Sequence, residues 1–102
     1  MAMLHTVNKS PFEKNALWSC LRLAKDGSGV LLIEDGVYGA LSGTAESSQI
    51  EARLGDIKFY ALGPDLSARG YDADRLIDGI EVVDYAGFVD LVTEFDAVQS
   101  WL

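Results

Sequence analysis

Thiols, imidazoles and cations are all scarce in this chain. Cys20 is its only cysteine and His5 its only histidine. A single thiol cannot close an intrachain disulfide, and the count fits a reducing compartment. One cysteine and one histidine also fall short of the ligand set of a zinc or transition-metal centre. Lys and Arg number 8 against 16 Asp and Glu, for a formal net charge of −8 and a pI near 4.3, and no stretch gathers the cations on one face. Phosphate-driven binding displaces counterions with clustered cations, so direct contact with nucleic acid is disfavoured. The longest aliphatic run, Val30-Leu31-Leu32-Ile33, is far below the roughly 20 residues that span a bilayer. The opening MAMLHTVNKSP has no basic leader ahead of an apolar segment. The expectations are a cytoplasmic location and no membrane partner. Glycine-rich phosphate loops are missing too: there is no G-x-G-x-x-G and no G-x-x-x-x-G-K-[ST], and Gly27-Ser28-Gly29 precedes a strand rather than following one.

What is present is an apolar chain of domain size. Its 102 residues are 49% hydrophobic and 24% charged, with a mean hydropathy of +0.13. This length supports one core, and the apolar excess hints at burial against partners beyond it. Met3 to Val7 is short and apolar, as a strand covered on both faces should be. Ser10-Pro11-Phe12-Glu13 combines a Ser N-cap, Pro at the first helical position and Glu three residues after the cap, which predicts a helix from there to about Lys25. Phe12, Ala16, Leu17, Cys20, Leu21, Leu23 and Ala24 share one side of that helix, and Trp18 lies off the stripe. Gly29 to Glu34 is a central strand, Asp35-Gly36 a turn, Val37 to Leu41 a short helix, and Ser42 to Ser48 a polar loop. Ile57 to Leu62 is the third strand, and Gly63-Pro64-Asp65 opens a short helix ending near Arg69-Gly70. Tyr71 to Gly79 is an acidic loop. Ile80 to Val83 is the last clear strand. Asp84 caps a final helix whose apolar side is Tyr85, Phe88, Val89, Leu91, Val92 and Phe95, with Val98, Trp101 and Leu102 left as an apolar tail. This alternation predicts a single α/β domain, a mostly parallel sheet with helices on both faces.

Ligands of such sheets gather outside the carboxyl ends of the strands. Here those ends are Asn8 to Ser10, Asp35-Gly36, Gly63 to Asp65 and Asp84-Tyr85, three of which carry an acid that repels phosphate. No cofactor is expected. Glu34 and Asp35 are adjacent at a strand end and so point to opposite sides, which leaves Asp35 to turn formation. Asp72, Asp74 and Asp78 lack the glycine and distal Glu of a calcium loop and fit a solvated segment. His5 fits a packed, hydrogen-bonded histidine, and Ser10 a cap rather than a nucleophile. Cys20 is the one soft nucleophile. It sits on the apolar stripe with Arg22 pointing away, which fits a small core residue better than an activated thiolate.

Four segments carry a family resemblance. Met3-Leu4-His5-Thr6-Val7-Asn8-Lys9-Ser10-Pro11-Phe12, Leu31 to Val37, Lys58 to Gly70 and Val83 to Val89 stand in register with the blocks of the DsrH/TusB family, and the chain resembles that family over residues 1–102. The resemblance implies a DsrE-like fold. It also implies a heterohexamer with DsrE/TusD-like and DsrF/TusC-like subunits, two copies of each, relaying persulfide sulfur between donor and acceptor proteins. The relay serves either intracellular sulfur oxidation or 2-thiolation of the tRNA wobble uridine. Cys20 and the segments Asp65 to Gly70 and Trp101-Leu102 are similar to the DsrH-like branch, which makes Cys20 the candidate persulfide carrier of this subunit. The resemblance places the principal sulfur-carrying cysteine on the larger DsrE/TusD subunit. A structural subunit without its own sulfur-carrying role is the alternative.

Overall fold

A computed structural model describes residues 2–101. Five strands, β1 (Met3–Val7), β2 (Gly29–Leu32), β3 (Lys58–Leu62), β4 (Glu81–Val83) and β5 (Ala97–Trp101), form one sheet in the order β4-β3-β2-β1-β5. Every pairing is parallel. Four α-helices accompany them: α1 (Ala16–Leu23), α2 (Ser47–Glu51), α3 (Gly63–Ala68) and α4 (Tyr85–Glu94). The 3-10 segments Glu34–Ala40 and Ala73–Arg75 complete the element order.

The topology explains which face each helix covers. From β1 to β4 the chain steps in one direction, so right-handed crossovers put α1, α2 and α3 on the same face. The step from β4 back to β5 reverses direction, and the same handedness sends α4 to the other face. Alternation along the strands sorts the core to match. Val7, Val30, Leu32, Phe59 and Ala61 pack against Leu17, Cys20, Leu21, Ile50 and Leu66 in the larger cluster. Leu4, Leu31 and Tyr60 meet Leu91, Phe88 and Phe95 of α4 in the smaller one. Gly29 belongs to that second face, because a Cβ there would lie 2.6 Å from the tip of the Phe95 ring.

Several boundaries differ from the sequence-based expectations. The first helix begins at Ala16 rather than at Pro11, with Asn15 at its start and no side-chain cap. Ser10 does act as a local acceptor, its Oγ taking the Phe12 N–H at 3.2 Å while its carbonyl takes those of Glu13 and Lys14. It therefore closes a turn that precedes the helix, and Phe12 is left 53% exposed. By contrast, Asp84 caps α4 as expected, its Oδ1 accepting the Gly87 N–H at 2.8 Å.

Helix α2 starts at Ser47, inside the segment expected to be a polar loop, and runs on to Glu51 where no element was expected. Its continuation places Ile50, Leu54 and Ile57 against the core at helical spacing. The apolar tail proves to be a strand: β5 pairs with β1 from Met3↔Ala97 to Val7↔Trp101. Leu102 lies outside the described residues. The acidic loop is solvated at Asp72, Asp74 and Asp78. It is pinned between them, since Leu76 and Ile77 are buried and Ile77 N–H donates to Ala40 O at 2.8 Å.

Candidate functional site

The carboxyl edge of the sheet is where ligand chemistry was expected, and there the acids are committed to holding the chain. Glu34 leaves β2 with φ of +49°, a conformation costly for a residue with a Cβ. Its N–H donates to Asp65 Oδ2 at 2.7 Å. Asp35 does not pair with Glu34 as a catalytic carboxylate would. Its Oδ1 accepts Arg69 Nε at 3.0 Å and Nη2 at 2.8 Å, and Arg69 Nη1 reaches the Asp65 carbonyl at 3.1 Å. The hydrogen bond that Arg69 donates to Asp35 is the main reason its pKa is raised. Gly36 lets this turn close on β1, because a Cβ there would overlap the Val7 carbonyl. Asp84 is occupied with its cap. At the β1 end, Asn8 Oδ1 is buried without a partner among the described residues.

Cys20 lies away from this edge, in the middle of α1. The side chain is 0% exposed among Leu17, Leu21 and the sheet residues of the larger cluster. Burial pushes the thiol up to about 12, against a smaller opposing pull from Arg53. A thiolate is the nucleophile in sulfur chemistry, and burial disfavours that form of Cys20 where it stands. Arg53 is the residue that sequence reasoning missed. From the turn after α2 it donates to the Leu21 carbonyl at 2.6 Å and the Ala24 carbonyl at 3.1 Å, satisfying the C-terminal carbonyls of α1. The signal was available in the spacing Ile50, Arg53, Leu54, Ile57, one helical face with a cation at its edge. Arg22 points outward as expected, donating to Ser19 Oγ at 3.3 Å.

His5 is packed and hydrogen-bonded. It is 4% exposed, and its Nδ1 accepts the Trp101 Nε1–H at 3.0 Å across the β1–β5 pair. Burial lowers its pKa. Among the described residues no group of three or more His, Cys, Asp or Glu side chains is placed to hold a metal ion. No helix there is long and apolar enough to cross a membrane.

Fold and site together define a small parallel α/β domain that spends its strand-end acids on its own structure and its thiol on its core. Comparison with known proteins narrows that class. The family model described as DsrH like protein matches residues 9–98. The proteins named TusB of Escherichia coli O1:K1 and Shigella flexneri are 36% and 35% identical over 99 residues, covering 97% of this chain and 100% of each relative. The chain belongs to the DsrH-like family. Among solved structures, the ychN protein of Escherichia coli superposes with a TM-score of 0.84 at 19% identity over 99% of both chains. A Methanobacterium thermoautotrophicum protein of unknown function gives 0.74 at 20% identity over 96% of both. At these identities the likeness speaks for the fold alone.

Proposed function

We propose that this chain is a non-principal subunit of a cytoplasmic sulfur-relay assembly. It stands beside a DsrE/TusD-like subunit that carries the persulfide and a DsrF/TusC-like subunit, two copies of each forming a heterohexamer, with residues 1–102 as its one domain. The observation that carries the reading is α4, which is apolar on both sides. Phe88, Leu91 and Phe95 face the sheet, while Tyr85, Val89 and Val92 face outward, 61%, 64% and 40% exposed. An exposed apolar side on a helix whose opposite side is already packed suits a contact within an assembly better than a free surface. Val98, paired with Leu4 on the same face of the sheet, is 43% exposed and widens that surface.

Trp18, Tyr38 and Trp101 pack against this chain's own core, while three of the exposed large apolar residues, Tyr85, Val89 and Val92, lie on the last helix. In a relay each thiolate takes the sulfane sulfur of a donor persulfide and releases the donor thiolate, which requires an exposed thiolate and no outside oxidant. The buried Cys20 suits that step poorly and favours a supporting role, with the persulfide held mainly on the larger partner and Cys20 contributing weakly. Cys20 and the Asp65 to Gly70 segment favour the sulfur-oxidation branch. The TusB relatives favour 2-thiolation of the tRNA wobble uridine, with no nucleic acid contacting this chain directly.

The test is to purify the tagged chain from its own cell with whatever accompanies it, expose the complex to a persulfide donor, and weigh each subunit. The reading predicts DsrE/TusD- and DsrF/TusC-like partners, sulfur mainly on the former, and unchanged loading there in Cys20→Ser. Stoichiometric loading of Cys20 in the isolated chain would transfer the carrier role to this subunit.

A further inference from the structure

On the face of the sheet that carries α1, at the end remote from the carboxyl edge, a cavity of about 270 Å³ opens between β1, β5 and the segment that follows α1. Its lining is Met3, His5, Leu23, Lys25, Ser28 and Gln99. We propose that this cavity binds a small organic carboxylate, with the carboxylate group on His5 Nε2–H and Lys25 and its short apolar tail against Met3 and Leu23.

The tautomer of His5 is dictated by its partner. An indole nitrogen can only donate, so the imidazole Nδ1 that accepts from Trp101 Nε1–H carries a lone pair, and the neutral ring holds its proton on Nε2. The side chain is 4% exposed. Nε2 nevertheless has no hydrogen-bond partner among the described residues, where the one polar side-chain atom both sealed from solvent and unpartnered is Asn8 Oδ1. The Nε2–H therefore opens into the space that His5 lines. There it can donate to solvent or to a ligand oxygen, and a charged oxygen makes the stronger bond.

The rest of the lining fits an anion. Lys25 supplies a cation, Ser28 a hydroxyl on a residue 4% exposed, and Gln99 an amide. No acid lines the cavity, in a chain with 16 of them. The one ion pair among the described residues is Arg69 with Asp35, so Lys25 has no carboxylate partner there. Burial alone lowers the His5 pKa, with no neighbouring carboxylate acting against it. Leu23, 67% exposed at the end of α1, gives the mouth an apolar rim. At about 270 Å³ the cavity lies just below the roughly 300–1,000 Å³ of sites for drug-sized ligands, which suits a small occupant.

The experiment is a titration of the isotope-labelled full chain with sodium butyrate at constant ionic strength and neutral pH, followed by NMR. The Trp101 indole N–H, the His5 ring nitrogens and the Gln99 side-chain amide report on the site. The expected result is saturable shifts of all three at millimolar butyrate, with affinity about tenfold weaker in Lys25→Met, whose exposed side chain can be exchanged without disturbing the core. His5→Gln, if it folds, should abolish saturation. Absence of saturable shifts in the unaltered chain would overturn the proposal, as would equal affinity in Lys25→Met. Equal affinity for inorganic sulfate would also overturn it, because the apolar rim would then have no role.

Discussion

Cys20 and Asp84 show how differently two legible residues respond to their surroundings. Both were placed correctly on their elements from sequence, since an apolar stripe and an Asp before an apolar run are local patterns. What sequence could not supply was Arg53 beside Cys20, which arrives from another element. With the thiol pushed up to about 12 from 9.0, the folded chain keeps its proton where the unfolded chain loses it. Tyr60 adds to the effect, held above its ordinary 10.0 by burial first and then by Glu81 and Glu94. This contribution is thus fully present below pH 9.0 and lost as pH rises above it. Urea denaturation should show that loss, and Cys20→Ala should shallow it. Native-state alkylation of Cys20 should proceed only as fast as the chain opens. His5 works at the other end of the scale: its pKa is lowered, so its contribution is complete above the ordinary value of 6.5 and is lost as pH falls below it. His5→Gln should flatten that part of the pH profile. Asp84→Ala removes a cap and should cost about 1 kcal/mol in urea denaturation.

At the scale of elements, the strongly patterned segments were legible and the weakly patterned ones were not. β1, β2 and β3 are apolar because they are covered on both faces, and such runs announce themselves. β5 is an edge strand in which Gln99 and Ser100 break the apolar run, so Val98 and Trp101 looked like a tail. Its partner β1 lies more than ninety residues away in the chain, a pairing no local window contains. The capping signals at Ser10 were real, yet the turn they close does not propagate: Glu13, Lys14 and Asn15 are all exposed, and nothing holds them on the core until Ala16 and Leu17 dock. Helix α4 was placed correctly but with too wide an inner face. Val89 lies on its outer side, so Val89→Asp should change the stability of the isolated chain by no more than about 0.5 kcal/mol. The same substitution should prevent co-purification of partner subunits, because it buries an unpaired charge in the proposed interface. Retained assembly would remove α4 from that interface.

For the molecule as a whole, one sheet carries two unequal faces. Three helices and the segment Glu34–Ala40 cover one face, and α4 alone covers the other, leaving apolar surface on a chain that is otherwise acidic. That imbalance underlies the proposed subunit role: a core sufficient to fold, a carboxyl edge spent on structure, and a helix with a second apolar side. The most direct test is native mass spectrometry of the complex purified through this chain, before and after exposure to a persulfide donor. The result predicted is a heterohexamer containing two copies of this chain, gaining sulfur chiefly on its DsrE/TusD-like subunit. The chain emerging alone as a monomer, or a complex in which no subunit gains sulfur, would contradict the relay role.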